Sequence, residues 1–161
     1  MNVIKTYTDT QCELNIAKER LSLLLDRKEE LYIKYCGKTV FYGDKVQGKI
    51  LKKDNMLDYL HDLNEIDYGT GRSLADEIEY QRKIISVLQN HIKNMASNLN
   101  KLNGLEYKLF YEIVYVGNNI SKSVEIIAEK FNVSTRNVWR FHYTKIKEYL
   151  KQMGDIEEIF H

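Results

Sequence analysis

The 161-residue chain contains no proline, so no pyrrolidine ring stands ready to kink or stop a helix. It has two cysteines, Cys12 and Cys36, both at the ends of what reads as one helix. At about 1.5 Å per residue they would lie roughly 36 Å apart. A disulfide needs Cα atoms within about 7 Å, so free thiols in a reducing compartment are expected. No run of about 18 apolar residues exists to cross a membrane. The opening MNVIKTYTDTQCE lacks the apolar core of a signal peptide, which predicts a cytoplasmic protein. The formal net charge of +1 gives no global polyanion signal, so the distribution of charge carries the information.

Recognisable reaction chemistry is also missing. The four histidines, His61, His91, His142 and His161, form no ligand pair on a shared helix face, and there is no C-x-x-C, so no zinc site is expected. GDKVQGK has neither the spacing of a phosphate-cradling loop nor a strand before it. Asp58, Asp62 and Glu65 read as the solvated side of a helix. The expectation is a protein with no catalytic residues, no metal and no cofactor.

Helix formers dominate what is there, and an all-α fold is the natural reading. A first helix is expected from Thr8 or Asp9 to about Tyr35. Leu14, Ala17, Leu21, Leu24, Leu31 and Tyr35 form a narrow apolar seam, interrupted by Lys28, of the coiled-coil kind. KTVFYGDKVQGK, among Gly37, Gly43 and Gly48, reads as a loop. A second helix spans about Asp54 to Ile66 with Met56, Leu60 and Leu63 on one face, and Gly69 and Gly71 break or weaken the helix beyond it. Ser73 and Asp76 resemble a capping box opening a third helix. Leu74, Ile78, Gln81, Ile85, Leu88, Ile92, Met95, Leu99 and Leu102 keep a strict seven-residue repeat, and Gly104 stands where a left-handed cap belongs. Two long helices with matching seams predict an antiparallel hairpin or self-association. Residues 1–104 are therefore assigned to a coiled-coil-like hairpin or oligomerisation region, 105–151 to a C-terminal helix-turn-helix, and 152–161, with Asp155, Glu157 and Glu158, to an acidic tail.

The last third carries the strongest pattern. LEYKLFYEIVYV should turn Leu109, Phe110, Ile113 and Val116 inward. After the connection VGNNISKS, Ser123 is expected to cap a helix through Phe131, with Val124, Ile127 and Phe131 on its core face and the small Ala128 permitting a close crossing. Asn132 tolerates the positive φ of an abrupt turn, Val133 would plug it, and Ser134 caps a second helix with Val138, Phe141, Ile146 and Tyr149 inward. This is helix-turn-helix spacing. Arg136, Arg140, Lys145, Lys147 and Lys151 face a single acid, Glu148. The outward residues Ser134, Thr135, Arg136, Asn137, Trp139, Arg140, Tyr143, Thr144 and Lys147 are the candidates for DNA contact, because arginine reads guanine edges and lysine, threonine and helix N-termini bind phosphates. His142, at the inner edge, is expected to be structural or phosphate-contacting.

SVEIIAEKFNVSTRNVWRFHYTKIKEYL resembles the promoter-reading region four of bacterial sigma factors, and more closely the sigma-like helix-turn-helix of small phage regulators of the ArpU/RinA type. Ser123, Val124, Glu125, Ile127, Ala128, Ser134, Arg136, Val138, Arg140 and His142 stand at that group's motif positions. The resemblance implies a phage or prophage transcription regulator in the cytoplasm of a bacterial host, with duplex DNA as partner. RNA polymerase is a further partner it implies, and the long helices are expected to mediate homo-oligomerisation. Two other readings share the sequence features: a small terminase subunit-like packaging protein, and a helical protein-interaction adaptor. The C-terminal position of the module favours regulation over packaging.

Overall fold

The computed structural model describes residues 5–37, 40–42, 45–47 and 53–152, and the fold is all-α. Glycines 43 and 48, His161 and the acidic tail beyond Gln152 lie outside the described residues. Among the described residues no helix is long and apolar enough to cross a membrane.

Helix α1 runs Tyr7–Cys36. It begins before Thr8 because Thr6 and Asp9 cap one another. The Asp9 N–H donates to Thr6 Oγ1 at 3.1 Å and the Thr6 N–H to Asp9 Oδ2 at 3.3 Å, satisfying N–H groups a helix end leaves open. The expected seam is the shielded stripe: Leu14 and Ala17 are buried, and Leu21, Leu24, Leu31 and Tyr35 are half-buried. Both cysteines are free. Part of the expected loop pairs instead as an antiparallel hairpin, β1 (Val40–Tyr42) with β2 (Lys45–Gln47), in keeping with the strand preference of β-branched and aromatic residues.

Helix α2 spans Lys53–Asn64. Its buried face is Tyr59 and Leu63 with half-buried Met56, while Leu60, expected inward, is exposed. The tyrosine ring takes the inner place and meets Tyr32 edge-on, centroids 5.6 Å apart. Gly69 and Gly71 do break the helix: β3 (Ile66–Asp67) turns back onto β4 (Arg72–Ser73), with Gly71 at φ 69°.

Helix α3, Leu74–Asn100, opens on the expected cap, the Asp76 N–H donating to Ser73 Oγ at 3.1 Å. The repeat is the buried face: Ile78, Gln81, Leu88, Met95 and Leu99 are buried, and Leu74, Ile85, Ile92 and Leu102 half-buried. Gly104 has the positive φ, 55°, that its position requires, though it also opens α4, Gly104–Tyr111. A π-helical turn, Glu112–Val116, prolongs α4. After it come α5 (Ile120–Lys130), α6 (Thr135–Asn137), a second π-helical turn (Val138–Tyr143) and α7 (Thr144–Lys151).

Two compact units divide the chain: residues 5–14 with 87–152, and residues 15–86. A boundary at 104 is therefore not where the units part. The reason is hydrophobic: Met95 and Leu99 of α3 share one core with Leu109, Phe110, Ile113, Val114, Val124, Ile127, Ala128, Val138, Ile146 and Leu150.

Candidate nucleic-acid interface

The helix pair forms around a turn whose chemistry is local. Asn132, the one non-glycine residue with positive φ among the described residues, sits at 52°. Val133 is half-buried against the core, and Ser134 accepts from the Asn137 N–H at 3.2 Å, capping the helix that runs continuously over 135–151. Ala128 is buried where the helices approach.

Four expectations need correction. Ser123 is not a cap: Asn119 is, accepting from the Lys122 N–H at 2.8 Å. Ser123 lies fully buried inside α5 with its hydroxyl on the Asn119 carbonyl at 3.0 Å. Much of the connection before Ser123 is thus already helical. Phe131, expected inward, is 40% exposed because α5 has ended at Lys130 and its backbone has left the helix (φ −101°). Val116 points outward, and Val114, four residues after Phe110, takes the core place.

Phe141 is the fourth, at 52% exposure. The π turn explains it. A widened turn takes one more residue than an α turn, so eight residues, not seven, complete two turns. Val138 and Ile146 therefore share the buried face, and His142 and half-buried Tyr143 fall between them where Phe141 was expected.

The same shift sorts the candidate contacts. Ser134, Thr135, Arg136, Asn137, Trp139, Arg140 and Lys147 are exposed. Tyr143 is half-buried and holds Trp139 edge-on at 4.9 Å between centroids, so it serves as a support. Thr144 donates its hydroxyl proton to the Arg140 carbonyl, a back-bond that leaves no proton for a phosphate. Among the described residues no carboxylate pairs with Arg136, Arg140 or Lys147. Arg140 lies 5.4 Å from the Phe141 ring centroid, which leaves its guanidinium charge uncompensated.

Lys145 and His142 are different. Glu106 of α4, largely buried, lies 3.0 Å from His142 Nδ1 and 2.9 Å from Lys145 Nζ, both at the same carboxylate oxygen. Burial alone would push the Glu106 carboxyl up, but the hydrogen bonds from Lys145 and His142 outweigh it and hold the group down at about 2. The sequence offers no sign of this link, which joins residues 36 and 39 positions apart.

Away from this helix, Tyr7, Tyr115, Tyr111 and Tyr107 stack in a row, with centroids 4.9, 5.2 and 6.3 Å apart. The 107–111–115 spacing of four is its sequence signature. In the other unit, His61, Asp62 and Glu65 bring possible ligand atoms within 4.8 Å of one another. Asp62 is more than a solvated acid: it accepts from the Tyr35 hydroxyl and pairs with Lys34 at 3.7 Å. The tyrosine bond holds its carboxyl below the ordinary value. Comparison with protein-family models, curated proteins and solved structures finds no match for this chain.

Proposed function

We propose that the chain binds duplex DNA through the 135–151 helix and acts as a transcription regulator of the small phage type its motif resembles. The observation that carries this reading is the row of unpaired cations, Arg136, Arg140 and Lys147, on an exposed helix that comes after an abrupt, capped turn. Lys145 and Lys151 on the same helix are each paired with a carboxylate, so these three remain for an external anion. Arg136 and Asn137 stand in the first turn, where a helix entering the major groove meets base edges. Trp139 and Phe141 add exposed apolar surface suited to thymine methyl groups. RNA polymerase as a second partner, and self-association through the seams of α1 and α3, complete the proposal.

The test is fluorescence anisotropy on duplexes selected from a random pool by the parent protein. Replacing Arg136 by alanine should cost about 1–3 kcal/mol on the selected duplex and relax its base preference. Lys147→Ala should weaken selected and scrambled duplexes alike and flatten the slope of log K against log salt by about 0.9. Unchanged affinity in both variants rejects the 135–151 helix as the DNA-reading element.

A further inference from the structure

We propose that Glu106 is the positioning residue of the DNA-reading helix: it holds Lys145 and His142 away from the phosphates, so that Arg136, Arg140 and Lys147 alone carry the contact. This rests on the DNA-binding reading above and goes beyond it.

The geometry is specific. One carboxylate oxygen accepts from two donors on the 135–151 helix, at 2.9 and 3.0 Å, while the Glu106 side chain is only 14% exposed. Lys145 itself remains 66% exposed, so its ammonium would be free to seek a phosphate if Glu106 let it go. The π turn makes the arrangement possible, since it carries His142 round to the inner face and leaves Lys145 one turn below. Glu106 thereby ties α4 to the DNA-reading helix at two points and fixes the rotation at which the arginines face outward. Phosphate contacts give affinity without sequence information, whereas base contacts require a fixed rotation and register. Withholding the Lys145 cation while fixing the helix trades general affinity for discrimination.

This predicts a sign opposite to a merely structural role. Binding of a selected and a scrambled duplex would be measured by anisotropy across a salt series for the parent, Glu106→Gln and Lys145→Ala. Lys145→Ala should keep the parent's salt slope, because its ammonium sits on Glu106. Glu106→Gln should bind the scrambled duplex more tightly, with a slope steeper by up to about 0.9 as the Lys145 cation is released. Its preference for the selected duplex should fall about tenfold. A slope flattened by about 0.9 in Lys145→Ala overturns the proposal, because Lys145 would then already touch phosphate. So does an unchanged preference in a Glu106→Gln protein of parental circular dichroism. If Glu106→Gln does not fold, the Lys145→Ala slope decides alone. Failure of the parent to bind any duplex in a salt-dependent way removes the DNA reading itself, and this inference with it; parental binding with indifferent variants removes this inference only.

Discussion

The Glu106 clamp makes the helix-turn-helix unit sensitive to acid, by an amount that can be worked out. The carboxyl lies at about 2 in the folded protein against an ordinary 4.5. A depressed value means the folded state favours the ionised form, so the stabilisation is present in full above pH 4.5. It is lost as pH falls toward 2, when the carboxylate takes up a proton and the pairing with Lys145 and His142 fails. At about 1.4 kcal/mol per tenfold change in proton affinity, the gap is worth about 3 kcal/mol. Lys145 is well exposed, and solvent screening reduces this to about 1–2 kcal/mol.

Other carboxylates titrate over the same range, so the parent's acid sensitivity alone is not diagnostic. The difference between the parent and Glu106→Gln is, because glutamine carries no charge at any pH. Urea unfolding monitored by circular dichroism should give a gap of about 1–2 kcal/mol at pH 7 that shrinks below pH 4.5 and closes only as pH falls through about 2. A gap that stays constant over that whole range would mean the carboxylate's charge contributes nothing and only its shape matters.

The local chemistry sets three further outcomes. Asn132 adopts φ 52°, so Asn132→Gly should be close to neutral in thermal melts while Asn132→Val costs about 1–2 kcal/mol; equal melting of the two would refute a left-handed turn there. Ser134→Ala removes the cap on the Asn137 N–H and should cost about 1 kcal/mol in urea unfolding, against no change if water replaces the hydroxyl fully. Ile127→Ala opens a cavity at a fully buried position and should cost about 2–5 kcal/mol, whereas Phe141→Ala, at an exposed one, should stay within about 0.5 kcal/mol. A large loss for Phe141→Ala would show that the phenyl ring is packed inside and the π turn misplaced.

What can be read from the sequence, and what cannot, divides by range. The turn at Asn132, the cap at Ser134 and the capping box at Ser73 are encoded by neighbouring residues, and the seven-residue repeat of α3 is a pattern over a regular element. Each of these reads directly. Counting α-helical turns puts Phe141 and Val116 inward, and a single added residue in each π turn moves such residues out of phase. Phe131 departs for a related reason, since its helix ends one residue too early. Glu106 is invisible in the sequence because its partners lie in an element that only tertiary packing brings near.

The division of the core makes one more prediction. The helix-turn-helix looks from the sequence like a separable tail beginning at residue 105. The structure gives it two core residues from before that point: Met95, fully buried, and Leu99. Tyr7 of α1 also packs on this core and stacks on Tyr115 at 4.9 Å. Truncating a buried Met or Leu to alanine typically costs about 2–5 kcal/mol, and removing both outright costs at least as much. Small domains have only about 5–15 kcal/mol in hand, and a fragment of roughly 50 residues buries too little surface to be generous. A fragment spanning 105–152 should therefore keep much of its helical dichroism but melt without a cooperative transition, and Met95→Asp in the full chain should unfold the same unit by burying an unpaired carboxylate. Cooperative melting of the 105–152 fragment, with duplex affinity equal to the full chain, would show that α3 is a neighbour of the module and not part of its core.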